Sequence, residues 1–342
     1  MSRTRIAING LGRIGRCVMR ALVEQGYEDS IEIVAVNGPA PTPNHVHLLK
    51  YDSVHGRFNG ALSSDGDQMT FGGSTFPVFH ERDPKNLPWG ELNVDVVLEC
   101  TGVFNTAEKA GQHIAAGAKK VLLSAPAKDD SATIVFGVNN DAPGVGNDVV
   151  SIGSCTTNCL APVAKVLNDT FGIAQGFMTT IHAYTGDQNI VDSSHSDMRR
   201  ARAAALSMVP TSTGAAKALG LVLPELQGKL DGTAIRVPTP NVSFVDLTFT
   251  SEKPITKQAI HDAITAASNG AMHGVLATSD EPLVSIDFTH NPASSIFDLT
   301  GTNVMGEHFA RVASWYDNEW GFSCRMLDMT KLVAQAVNRA AA

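Results

Sequence analysis

The stretch Ser151-Ile152-Gly153-Ser154-Cys155-Thr156-Thr157-Asn158-Cys159 holds a cysteine placed to act as a nucleophile. Val149-Val150 ends a strand and residues 155–167 read as a helix with an apolar face, so Cys155 falls at a strand-to-helix turn. The unpaired N–H groups of a helix start carry partial positive charge, which favours thiolate over thiol. A small cysteine at a tight corner is ordinarily just packing. The polar neighbours Ser154, Thr156, Thr157 and Asn158 argue otherwise, because an apolar corner would not need them. Cys159 shares the helical face and is read as packing, since two cysteines alone make no zinc site; no metal is expected.

A second chemical signal lies at the start. Gly10-Leu11-Gly12-Arg13-Ile14-Gly15 follows a short apolar strand, residues 5–9, and opens a helix through Val23; a second strand covers residues 31–37. Strand, glycine turn, helix and strand together turn a weak G-x-G-x-x-G pattern into a dinucleotide fingerprint. Gly10 allows the turn, Gly12 lets the backbone approach a pyrophosphate, and Gly15 lets helix meet sheet. The phosphates would face the helix N-terminus.

These two sites need elements to hold them. A chain of 342 residues is long for one core, so two domains are expected. Short apolar strands at 95–100, 120–124 and 133–137, with a helix at 106–118 capped by Thr106, imply a Rossmann-like, doubly wound, mostly parallel α/β sheet. Its ligand edge is the carboxyl ends of its strands, where Asn37, Thr101-Gly102 and Ser124 fall. A short helix is expected at 45–50, and short strands with a turn at 62–80. Beyond Cys155 extended segments dominate, at 176–184, 234–250, 283–288 and 295–316, which indicates an α+β domain with a mainly antiparallel sheet. The irregular stretch 185–210 is long enough to imply a binding or subunit-contact role. A last helix, residues 326–339, carries the stripe Leu327, Leu332, Val333, Ala336 and Val337. The net charge of −8 without a basic block argues against nucleic acid or anionic membrane as a partner. Five unclustered cysteines, no secretory segment and no apolar run of roughly 20 residues suggest a reduced, cytoplasmic protein.

With these motifs in place, the sequence resembles the phosphorylating glyceraldehyde-3-phosphate dehydrogenases, nearly end to end. The matching stretches include Asn9-Gly10-Leu11-Gly12-Arg13-Ile14-Gly15-Arg16, Lys50-Tyr51-Asp52-Ser53-Val54-His55-Gly56, Ser154-Cys155-Thr156-Thr157-Asn158-Cys159 and Ile181-His182-Ala183-Tyr184-Thr185. Thr213-Gly214-Ala215-Ala216-Lys217, Arg236-Val237-Pro238-Thr239-Pro240-Asn241 and Trp315-Tyr316-Asp317-Asn318-Glu319-Trp320 continue the match. The resemblance implies a cofactor domain at 1–154 completed by the final helix at 319–342, and a catalytic domain at 155–318. It implies oxidation of glyceraldehyde 3-phosphate with NAD or NADP and inorganic phosphate, through a thiohemiacetal and a thioester on Cys155. His182 would be its base and charged partner. Arg200 and Arg236, with Ser154, Thr156, Thr185, Thr213 and the Gly214 N–H, would bind the two phosphates, and Asn318 would hold the nicotinamide amide. It also implies a homotetramer in which the loop at 185–210 reaches a neighbour, covering Ile190, Val191, Leu206, Met208 and Val209. Erythrose-4-phosphate dehydrogenase is the nearest rival, disfavoured by the phosphate-pocket residues. A non-catalytic nucleotide-binding scaffold is disfavoured because nucleophile, base and both arginines are present.

Three departures from that family pattern bear on function. Ile152-Gly153 replaces Asn-Ala before the catalytic serine and cysteine. Gly38 replaces the carboxylate that binds the adenosine ribose and repels a 2′-phosphate, while Ser194 stands where NAD enzymes carry proline. With Arg82 expected to lie close enough in space to help, these changes are expected to admit NADP alongside NAD, and Gly38→Asp to shift preference towards NAD.

Overall fold

The computed structural model describes residues 3–340, and side chains from 3 to 336. It divides into two compact units. One holds the chain up to Phe136, Asn140–Ser154 and the residues from Ser323 onward; the other holds Gly137–Asn139 and Cys155–Phe322.

The first unit is built on the strands β1 (Thr4–Asn9), β2 (Ile31–Asn37), β3 (Leu62–Asp65), β4 (Gln68–Phe71), β5 (Ser74–Phe79), β6 (Val96–Glu99), β7 (Lys120–Leu123), β8 (Ala132–Thr133) and β9 (Val149–Ser151). They form one nine-stranded sheet in the order β8-β9-β7-β6-β1-β2-β5-β4-β3. Every neighbour from β8 to β5 is parallel, and only the β5-β4-β3 meander is antiparallel. All four residues of β6 are buried, as expected of a parallel strand covered on both faces. Helix α1 (Arg13–Glu24) follows β1, α2 (Thr42–Lys50) follows β2, and α3 (Ala107–Ala115) follows β6. Thr106 caps α3, its hydroxyl accepting the Lys109 N–H. The strand expected at 133–137 shrinks to β8, which pairs only with β9 through Ala132 and Thr133.

The second unit holds an eight-stranded sheet from β10 (Ile173–Ala183), β11 (Val209–Ser212), β12 (Leu230–Val237), β13 (Ser243–Ser251), β14 (Leu276–Ser279), β15 (Ser295–Asp298), β16 (Asn303–Met305) and β17 (Phe309–Tyr316). The order is β11-β12-β10-β13-β17-β15-β14, with β16 also on β17. The β10/β12 and β14/β15 pairs are parallel and the others antiparallel. β13 alternates buried and half-buried residues along its whole length, the period of a sheet with one face covered. That cover includes α4 (Cys155–Phe171), which packs on α5 (Ala215–Val222) and α6 (Lys257–Asn269) as well as on β13, β15 and β17.

Three further expectations change. The long loop ends before Pro210, because Val209–Ser212 pairs with β12 and buries Val209 to 3% exposure. Residues 285–288 form a 3₁₀ turn rather than a strand, closed at its start by the Asp287 carboxylate accepting the Val284 N–H. The last helix, α7 (Trp320–Ala340), starts six positions before the expected 326. Asp317 Oδ1 accepts the N–H groups of Glu319 and Trp320 and so nucleates it early. Leu327 and Val333 of its stripe are buried, while the Val337 side chain and residues 341–342 lie outside the described residues.

Candidate active site

Cys155 is the first residue of α4, and the turn before it explains the local sequence. Ser151 ends β9 with its hydroxyl donating to the Ala125 carbonyl and accepting the Gly153 N–H. Gly153 then takes φ of 74°, a left-handed conformation that a side chain there would strain. Glycine in place of alanine takes this conformation without the strain a side chain would carry. Ser154 follows, half-buried, immediately before Cys155.

His182, near the end of β10, brings Nε2 to 3.5 Å from the Cys155 sulfur. Its Nδ1 lies 2.6 Å from the Ala183 carbonyl oxygen. The carbonyl calls for a proton on Nδ1, whereas a guanidinium N–H of Arg236 on the same nitrogen calls for a lone pair there; with Nδ1 protonated, Nε2 is bare and can receive the thiol proton. Arg236 of β12, paired directly opposite His182, places Nη1 2.8 Å from Nδ1 and donates to the same carbonyl at 3.0 Å. Burial first, and then the Arg236 charge, depress His182 to about 3. The imidazole is therefore neutral at neutral pH, and the expected role of charged partner to the thiol is corrected. Burial also raises the Cys155 thiol, against the pull of Arg236 and the Thr156 N–H and hydroxyl. Cys155 is half-buried rather than sealed, so burial counts for less here than at Cys159, whose enclosed thiol is pushed up to about 12. Cys159 is packing, its sulfur 3.4 Å from the Ser295 hydroxyl.

Tyr316, which the sequence placed in a matching stretch without a role, supports the pair. Its buried hydroxyl bridges Thr156 Oγ1 at 2.8 Å and Thr180 Oγ1 at 2.9 Å, and its ring meets the His182 ring edge-on at 6.0 Å. Thr156 Oγ1 is thus shared between the Tyr316 hydroxyl and the Cys155 sulfur. Arg236 keeps a buried Nε with no hydrogen-bond partner. Arg200 is close enough to act on both His182 and Arg236 and is held by Asp187 (2.6 Å) and by the Thr211 hydroxyl (3.0 Å). Two guanidiniums converging beside a neutral histidine make a site suited to anions. Thr185 gives its N–H to Gln188 Oε1, Thr213 caps the Ala215 N–H, and Gly214 lies exposed as the N-cap of α5. Asn318 is buried with Oδ1 fixed by the Ser243 hydroxyl at 2.8 Å, and Ser194 is exposed in the loop.

In the first unit Gly10, Gly12, Gly38, Arg82 and Thr101 line one cavity of about 680 Å³ at the carboxyl ends of β1, β2 and β6. A Cβ at Gly12 would meet no protein atom within 4 Å, so the backbone there is open to a ligand. A Cβ at Gly10 would stand 2.7 Å from the Thr101 nitrogen, and one at Gly15 2.0 Å from the Gly10 oxygen; both glycines are packing requirements of the turn. The cradle fits a dinucleotide. Ile14 is half-buried in α1, and Arg13 turns to Asp52 in a bidentate pair at 2.5 and 3.2 Å. Gly102, with φ of 73°, follows Thr101, and Ser124 sits just past β7. A buried chain that the sequence did not reveal ties these strand ends together. Trp89 Nε1 donates to His113 Nδ1, so His113 Nε2 carries the proton to Glu99 Oε2 (3.1 Å). Glu99 also accepts from Asn9 (2.6 Å) and the Thr101 N–H (2.8 Å), and Asn9 Oδ1 accepts from Asn37 (2.7 Å).

Comparison with known proteins agrees with this geometry. Residues 4–107 match the family described as glyceraldehyde 3-phosphate dehydrogenase, NAD binding domain, and residues 154–318 its C-terminal domain. Similar proteins include glyceraldehyde-3-phosphate dehydrogenase of Xanthobacter flavus, 58% identical over 95% of this chain and 96% of that one. The chromosomal enzyme of Cupriavidus necator is 53% identical over 97% and 99%, and that of Geobacillus stearothermophilus 52% identical over 96% and 98%.

Proposed function

The chain belongs to the glyceraldehyde-3-phosphate dehydrogenase family, an NAD(P)-dependent oxidoreductase, and we propose that Cys155 and His182 carry its chemistry. The observation that supports this most is the 3.5 Å approach of a neutral imidazole nitrogen to a sulfur at a helix start. His182 Nε2 takes the thiol proton as sulfur adds to the aldehyde carbon, giving a thiohemiacetal. The N–H groups at the start of α4 face the oxyanion that forms. The bound nicotinamide cofactor supplies the hydride acceptor. Sulfur is left as a thioester, which inorganic phosphate cleaves to an acyl phosphate, and the proton held on His182 returns to sulfur. Arg236 and Arg200 bind the phosphates, assisted by Ser154, Thr185, Thr213 and Gly214. The residues up to Ser154 with α7 serve as the cofactor domain and the following residues as the catalytic domain, with Asn318 presenting its amide to the nicotinamide.

Gly38 carries no charge against a 2′-phosphate, so NADP is accepted alongside NAD, with Arg82 and Ser194 as donors. Exposed Ile190, Val191, Leu206 and Met208 in the loop, and Phe177 and Phe309 on the sheet, support a homotetramer. Among the described residues no helix is long and apolar enough to cross a membrane, and five cysteines scattered along the sequence fit a cytoplasmic setting. Steady-state kinetics with glyceraldehyde 3-phosphate, with and without inorganic phosphate and with each cofactor, test the reading. Cofactor reduction that ignores phosphate, or that is faster with erythrose 4-phosphate, would overturn it.

A further inference from the structure

His45 sits in the middle of α2, only 4% exposed, and its Nε2 has no hydrogen-bond partner. A dry, unpaired ring nitrogen carries a desolvation penalty unless something meets it. The ring stands against Gly38: a Cβ built there would lie 2.9 Å from Nε2 and 3.0 Å from Cε1. His45 and Gly38 line the same cavity as Gly10, Gly12 and Arg82. In a doubly wound dinucleotide fold, the side chain at the end of the second strand meets the adenosine ribose. Here that side chain is missing, and an imidazole edge fills its space.

We propose that His45 reads the 2′ position of the adenosine ribose, hydrogen-bonding a hydroxyl as neutral imidazole and pairing with a 2′-phosphate as imidazolium. This rests on reading the cavity as the dinucleotide site. Binding of a 2′-phosphate is then coupled to uptake of one proton from solvent, and binding of a 2′-hydroxyl is not. The charged and polar groups around His45 set the starting state. Burial first, with His80 and Arg16 of α1, holds it below its ordinary value, against the carbonyls of Gly38 and Ala40. Glu81 and Arg82 line the same cavity. The Glu81 carboxylate is taken up by the N–H groups of Arg82 and Asp83, and the exposed His80 is held between the Gly38 carbonyl (2.9 Å) and Asp67 (3.0 Å), which leaves His45 as the buried imidazole facing Gly38. A phosphate dianion beside the ring favours its charged form and draws the proton in.

Calorimetric titration with adenosine 2′,5′-bisphosphate and with 5′-AMP, in buffers of different ionisation enthalpy, tests this on the full protein. Near about pH 7.5 a 2′-phosphate is already mostly dianionic, so a proton taken up must land on the protein. The unmodified protein should take up more protons with the bisphosphate than with 5′-AMP. Its bisphosphate affinity should rise towards acid by up to about tenfold per pH unit relative to His45→Gln. Equal proton uptake with the two nucleotides overturns the proposal even if His45→Gln does not fold, as does identical pH dependence in a folded His45→Gln. If neither nucleotide binds or competes with NAD, the reading of the cavity itself fails.

Discussion

The space around position 38 makes a substitution expected to be simple depend on its neighbour. Gly38→Asp restores the ribose carboxylate, and the backbone is not the obstacle, because Gly38 is not among the glycines in the left-handed region. Its Cβ would stand 2.9 Å from His45 Nε2 and 3.5 Å from Leu11 Cβ. The ring must retreat by roughly half an ångström, and overpacking of that kind costs about 1–3 kcal/mol. The new carboxylate would also hydrogen-bond the ring rather than a ribose hydroxyl. Gly38→Asp alone should therefore lower stability by about 1–3 kcal/mol and change NAD affinity by less than about threefold. Adding His45→Ala frees the carboxylate and should strengthen NAD binding by about tenfold, near 1.4 kcal/mol. The assay is a double-mutant cycle in NAD dissociation constant and denaturant midpoint. Effects that add within about 0.5 kcal/mol would show that His45 and position 38 do not meet, and the reasoning would be refuted.

Other outcomes follow from the second unit. Tyr316→Phe removes the hydroxyl shared by Thr156 and Thr180 and should cost about 1–3 kcal/mol, read as a lower melting temperature, with kcat reduced more than KM. Because His182 is held near 3 when folded and titrates near 6.5 when unfolded, it binds fewer protons in the fold. Stability should fall as pH drops below about 6.5, by about 1.4 kcal/mol per unit, and His182→Asn should flatten that slope. Iodoacetamide at neutral pH should label Cys155 before Cys159 and Cys100, whose thiols are pushed up to about 12; peptide mapping that finds Cys100 first would contradict the site.

Much of this was legible from residue types and spacing. The strand, glycine turn and helix around Gly10 identified the cofactor edge because Gly10 and Gly15 are required by close backbone contacts and Gly12 leaves the backbone open between them. Cys155 at a helix start was legible for the same reason. Long-range placement was not. No local pattern tells that β12 lays Arg236 directly opposite His182, so the imidazole is neutral rather than charged. Nor does any show that His45 stands in the space left at Gly38, or that Glu99 and His113 are buried between Trp89 and Asn9. The start of α7 shifted because one Asp317 carboxylate caps it, a signal weaker in sequence than the apolar stripe downstream.

The central claim is covalent chemistry at Cys155. Mixing the enzyme with glyceraldehyde 3-phosphate and oxidised cofactor, in the absence of inorganic phosphate, should give a burst of reduced cofactor approaching one per active site. Rapid quenching should then find the acyl group on the peptide that carries Cys155. Added phosphate should convert the burst into steady turnover, and Cys155→Ser should abolish both. Full turnover in Cys155→Ser, or an acyl group on another residue, would contradict the account.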